Sequence, residues 1–222
     1  MMQSISIYKC DVETFDKTKI KNKKSIKTKS VNGQNENLVT ELFPSLSITS
    51  NNNIYQKCNV AMDEIVKLNG RVFNKSFSEF VITNSYDAYI NTKTGLLACM
   101  ANKNSSDRIQ EFFSNIFKFE YEKKIFDLQN IMNASNDVKR AQFKKLRIQT
   151  LHASSISGNQ VNTTDIYGLM EQDGDLSAVA VSYPFNNKDI SFSVSSAGSI
   201  VLFSSLDTNE LVDFLYMLEF LL

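Results

Sequence analysis

The sequence predicts an α+β protein in which antiparallel sheets carry helices on one face, built from two β-β-α-containing halves. Three observations predict it. Residues 89–100 and 190–203 each read as a β-hairpin, with apolar runs on either side of a turn at Gly95 or Gly198. Each hairpin is followed by a helical pattern, Ile109, Phe112, Phe113 and Ile116 in the first case and the apolar residues of 211–222 in the second. A constant offset of 103 residues superimposes the two segments, matching Tyr89 with Phe192, Leu97 with Ile200, Cys99 with Leu202, Ile109 with Val212 and Phe112 with Leu215.

In chain order, Ile5 and Ile7 alternate with serines, so 3–9 is expected to be a strand. Over 17–29 the lysines Lys17, Lys19, Lys21, Lys23, Lys27 and Lys29 fall on odd positions, with Ile20 and Ile26 on even ones. On a single strand this would place six ammonium groups on one face. Asn32–Asn37 reads as a loop, followed by a short helix that ends near Phe43 because Pro44 discourages its continuation. Asn51–Asn53 reads as a second loop, 60–68 as a helix and Phe80–Ile82 as a strand. After the first hairpin, Asn104 is expected to cap a helix. Strands at 117–121, 143–151 and 176–183 follow, with a short helix at 128–132 and a helical turn near Tyr167. Asp207 and Glu210 form a capping-box pattern before the last helix.

These elements divide the chain into a basic half, 1–117, and an acidic half, 118–222, which pack as one domain or two. Related by a pseudo-twofold, such halves would be similar in arrangement to the saddle of the TATA-binding-protein family, whose repeats also end in a long helix. The similarity is one of architecture and carries no function; the pseudo-twofold itself would make the uncovered sheet face, or the seam between the halves, a natural binding surface.

The 24 Lys and Arg balance the 24 Asp and Glu, but unevenly along the chain. Residues 1–150 hold 23 basic against 15 acidic side chains, and 151–222 hold one against nine. Such a split suits internal docking, head-to-tail self-association or an anionic partner for the N-terminal part. Three cysteines without a CxxC spacing suit a reducing compartment. The N-terminus lacks the pattern of a signal peptide, and no apolar run reaches membrane-spanning length. A cytoplasmic location without membrane contact is the expectation.

Little catalytic chemistry is signalled, and no cofactor is expected. His152 is the one histidine, and no GxSxG, Walker A or GxGxxG occurs. Cys10, Cys58 and Cys99 leave thiol chemistry formally open, although Cys99 sits in an apolar run that suits a buried thiol. Glu120, Glu122 and Lys124, with Asp87 or Asp107 upstream, offer a Glu-x-Lys pattern that could hold Mg²⁺ and activate water; chance produces the same pattern often. For binding, Lys17, Lys19, Lys21, Lys23, Lys27 and Lys29 are the candidate nucleic-acid contacts, extended by Lys144, Lys145 and Arg147 beside Lys139 and Arg140. Lysines of this kind also guard exposed edge strands. The last helix is apolar nearly all round, which makes Phe214, Met217, Leu218, Phe220 and Leu221 a candidate homodimer interface.

The resulting expectation is a non-enzymatic binding or regulatory protein that self-associates and has a basic N-terminal surface. The alternative is a nucleic-acid-associated protein, either a DNA binder or a divalent-metal nuclease. The 23 Asn and 20 Lys against four Arg resemble the coding bias of AT-rich mobile elements or antiviral defence systems.

Overall fold

The computed structural model describes residues 2–50, 53–72, 75–148 and 150–221, leaving aside the side chains of 72, 75 and 148. Its centre is the first strand, β1 (Gln3–Cys10), which pairs antiparallel with one strand from the middle of the chain and one from near its C-terminal end. On one flank lies β6 (Leu97–Cys99), preceded across the sheet by β2 (Lys23–Val31), β3 (Gln34–Ser50), β4 (Asn53–Val72) and β5 (Lys75–Asn91). On the other flank lie β12 (Ser199–Leu202), β11 (Lys188–Ser195), β10 (Asp175–Phe185), β8 (Asp137–Ile148) and β9 (Leu151–Ser157). A short β7 (Tyr121–Lys123) also pairs with β1, completing a twelve-stranded sheet among the described residues.

Alternation along β1 decides what each face buries. Ile5 and Ile7 enter one core with α2 (Leu128–Ala134), α3 (Asp165–Asp173) and α4 (Thr208–Phe220). Tyr8, on the other face, enters a second core with α1 (Lys103–Phe117). Helices therefore cover both faces, which corrects the expectation of one helical face. Both hairpin–helix units are present, but a common uncovered face, as a saddle would need, is not formed. The reason is non-local. The phase of β1 decides which side each helix can fill, and hairpin sequences do not encode it.

The core beneath α1 is built on a row of small side chains. Cys58 faces Ala88 across β4 and β5, Ala88 faces Cys99, and Cys99 faces Ser6 on β1. Ile109, Phe113 and Phe117 of α1 share this core, and Phe113 is fully buried. Small residues below let the bulky phenyl rings approach the sheet closely. The opposite core sets Phe192 edge-to-face against Phe214, with ring centroids 5.3 Å apart.

Several local expectations change. The helix expected before Pro44 is part of β3, and 60–68 is part of β4. Leu38 and Leu42 are both buried and lie four apart, a spacing that fits a strand face as well as a helix face. Pro44 is accommodated at a register shift between Pro44 and Ser47. Of the loop expected at 51–53, Asn51 and Asn52 lie outside the described residues and Asn53 opens β4. The cap of α1 is Asn102 rather than Asn104; its side chain accepts from the Ser105 amide at 3.0 Å. Asp207 does form a capping box with Glu210, through contacts of 2.9 and 3.1 Å. Among the described residues no helix is long and apolar enough to cross a membrane.

Candidate functional site

The basic segment reaches its position through two local devices. Asp16 accepts hydrogen bonds from the Thr18 amide (2.9 Å) and hydroxyl (2.7 Å), capping a 3-10 turn over Lys17–Lys19. The lysine run is therefore split, and 17–29 is not one strand. Lys17 and Lys19 sit on the turn, Lys21 lies between, and only Lys23, Lys27 and Lys29 share a face of β2. Further along, Asn32 adopts a left-handed backbone (φ 49°) at the β2–β3 turn and reaches β5. Its Oδ1 accepts from the Ser78 amide (3.0 Å), the Ser78 hydroxyl (3.2 Å) and the Glu79 amide (3.2 Å), while Nδ2 donates to the Glu79 carbonyl (2.7 Å). Tying this turn to β5, across the intervening β4, curls the end of the sheet.

Between the curled strands and α1 lies a groove of about 250 Å³. Leu38, Met62, Phe112 and Ile116 supply an apolar floor, and Lys27, Lys29, Arg108 and Glu111 stand at the rim. A neighbouring recess of about 380 Å³ shares Lys29, Leu38, Asp63 and Arg108. Arg108 is pinned, since its guanidinium pairs with Glu64 at 2.8 Å and donates to the Asp63 carbonyl at 2.9 Å. Glu64 is itself held by the Asn84 amide at 2.8 Å. By contrast, Lys27 and Glu111 bridge the mouth of the groove at 3.8 Å, and both side chains are more than half exposed. Lys29 makes no ion pair among the described residues.

Other candidate residues are placed elsewhere. Lys144, Lys145 and Arg147 lie on β8, with eight strands between β8 and β2 along the sheet. At ~4.8 Å per strand, the path along the sheet between the two clusters is about 40 Å. Lys145 is moreover paired with Asp175 at 2.9 Å.

The Glu-x-Lys pattern does not assemble a site either. Lys124 is only 1% exposed, and its ammonium donates to the carbonyls of Leu218 (2.6 Å) and Glu219, at the C-terminal end of α4. Carbonyls there lack intrahelical donors, and the helix dipole favours a cation. Burial pushes the Lys124 pKa down to about 8, helped by the nearby charge of Lys9. Glu120 and Glu122 remain at the surface. Asp87 pairs with Lys57 at 2.7 Å, and Asp107 accepts from the Tyr8 hydroxyl at 2.7 Å. No group of three or more His, Cys, Asp or Glu side chains is arranged to hold a metal among the described residues.

The thiols lie in the core beneath α1 or against it. Burial pushes Cys58 up to about 12 and raises Cys10 and Cys99 as well, which disfavours the thiolate needed for nucleophilic attack. His152 is exposed on β9.

The five side chains of the final helix named as a candidate interface are placed as follows. Phe214 and Leu218 are fully buried in the chain's own core, and Met217 and Leu221 pack against that core. These side chains are satisfied within one chain, because the sheet supplies the second apolar wall that the helix lacks by itself. Phe220 alone of the five is largely exposed, at 63%, with Tyr216 against its ring.

Reading the sequence missed Arg108, Glu111 and Met62. The helical pattern draws attention to the apolar side of α1, whereas the groove uses its charged shoulder together with three strands distant in sequence. No protein-family model matches the chain, and no curated protein is significantly similar to it, so the groove is interpreted from its own chemistry.

Proposed function

We propose that the chain is a binding protein whose groove between β2, β3, β4 and α1 takes an acidic peptide segment. In this reading one apolar side chain of the peptide rests on Leu38, Met62, Phe112 and Ile116, and a carboxylate next to it meets Lys27 and Lys29. The observation that carries the reading is the long, exposed Lys27–Glu111 pair over an apolar floor. An exposed pair of this kind contributes about 0–1 kcal/mol, so an incoming carboxylate displaces Glu111 at little cost. The volume of about 250 Å³ is below the ~300–1,000 Å³ usual for drug-sized ligands and suits side chains better than a whole cofactor.

A nucleic-acid duplex is less well served. Glu111 and Asp63 line the same groove, and Glu36 stands opposite Lys29 on the adjoining strand. These carboxylates leave a place for a single incoming carboxylate beside Lys27 and Lys29, but would oppose a run of phosphates.

The test is fluorescence anisotropy with a labelled hexapeptide carrying one Phe beside one Glu among Gly and Ser residues. Saturable binding is expected, weakened at least tenfold by Lys27→Glu with Lys29→Glu and by replacing the peptide Phe with Gly. Absence of saturable binding sinks the reading. If a 20-base-pair DNA duplex displaces the peptide with steep salt dependence, the nucleic-acid alternative replaces it.

A further inference from the structure

The sheet ends in two edge strands of opposite character. β2 carries Lys23, Lys24, Lys27 and Lys29 within nine residues, charges that discourage another strand from pairing. β9, at the other end, reads Leu-His-Ala-Ser-Ser-Ile-Ser and contains no Lys, Arg, Asp, Glu or Pro. Its inner edge is taken by β8, from Arg140 opposite Ser157 to Ile148 opposite Leu151. Its outer edge has no strand partner among the described residues, and five of its seven side chains are exposed. An uncovered and uncharged edge is a template for a further strand.

We propose that β9 pairs antiparallel with β9 of a second copy of this chain, about a twofold axis through Ser154. Such an interface is isologous, so every contact occurs twice. Leu151 then faces Ser157, His152 faces Ile156, Ala153 faces Ser155, and Ser154 faces itself. Small Ala153 and Ser155 meet across the axis and no charge meets a like charge, which favours a second copy over a charged foreign strand. The same operation on β2 about Lys27 would set Lys27 against Lys27. The basic residues of β8 stay about 14 Å from the copy's β8, three spacings of ~4.8 Å, which is beyond the ~8 Å screening length at physiological salt. Leu151, 41% exposed in the single chain, gains a neighbour. A seven-residue edge buries little area, within the class below about 1,200 Å², so the dimer is reversible and concentration-dependent. The proposal is independent of the peptide groove.

The test combines light scattering with a cross-link. The full chain is expected to pass from monomer to dimer as its concentration rises into the hundred-micromolar range. Ala153→Lys with Ser155→Lys, checked for native circular dichroism, sets lysines against lysines and is expected to weaken the dimer at least tenfold. Ser154→Cys, in a Cys10→Ser background, places two thiols opposite each other. The Cα separation of a directly opposed strand pair, ~4.5–5.5 Å, suits a disulfide. Oxidised glutathione should therefore convert it to a covalent dimer faster than it converts His152→Cys, the two thiols being oxidised as the glutathione is reduced. A monomer at every concentration overturns the proposal. So does a dimer that survives the paired lysines, or equal cross-linking at 152 and 154.

Discussion

Lys124 offers the sharpest test of the architecture, because a buried ammonium ties β7 to the end of α4. Its folded pKa of about 8 lies below the ~10.4 of an unfolded lysine. Between these values the unfolded chain binds a proton that the folded chain does not, so Lys124 makes stability rise with pH. The contribution is greatest above ~10.4 and is lost as pH falls through about 8. The gap of roughly 2.4 pH units, at 1.36 kcal/mol each, amounts to about 3 kcal/mol. Other groups act in the opposite direction. Buried Cys58, with its raised pKa, loses stability above ~8.5, where the unfolded thiol ionises. The measurement is therefore a difference. Urea denaturation followed by circular dichroism is run on the native chain and on Lys124→Met from pH 7 to 10.5, where the shared groups cancel. The native-minus-variant stability should be flat near pH 7 and climb by about 3 kcal/mol towards pH 10.5. Parallel curves would refute the burial of the ammonium, and a falling difference would reverse the assignment of its environment.

Four further predictions concern the frame. Gly198→Ala puts a Cβ 2.2 Å from the Lys124 carbonyl at φ +74°, and should cost about 3 kcal/mol or more in urea denaturation. Gly33→Ala, at φ +78° with open space around it, should cost only about 1 kcal/mol. Asn32→Gly keeps the left-handed turn but removes the bonds to Ser78 and Glu79, so amide exchange across 23–31 should quicken and stability fall by about 1–2 kcal/mol. Asp207→Ala breaks the capping box and should cost about 1 kcal/mol, with loss measured by thermal unfolding.

What was legible in the sequence was local. The Gly95 and Gly198 turns, the apolar face of α1 and the Asp207 cap are all specified within a dozen residues, and each is present in the structure. Where local signals were ambiguous, tertiary pairing decided. Leu38 and Leu42 suited either element until β2 and β4 enclosed them as strand neighbours. β9 gave little signal, because Ala153, Ser154 and Ser155 neither alternate nor favour a strand strongly. The sequence offers Lys27 and Lys29 as candidate contacts, but not the floor they border, since Leu38, Met62 and Phe112 meet only through the curl of the sheet. Lys124 stands out in the sequence only as part of a Glu-x-Lys pattern, and nothing in its neighbours announces the α4 carbonyls it meets.

The most direct test of the account is to locate the bound peptide on the molecule. Amide chemical shifts of the ¹⁵N-labelled chain are followed as the Phe- and Glu-containing hexapeptide is added. The account predicts saturable shifts confined to 25–29, 38–40, 62–63 and 108–116, abolished together by Lys27→Glu with Lys29→Glu. Shifts that centre instead on 139–147 or on 17–23, or that persist in the double variant, would contradict it.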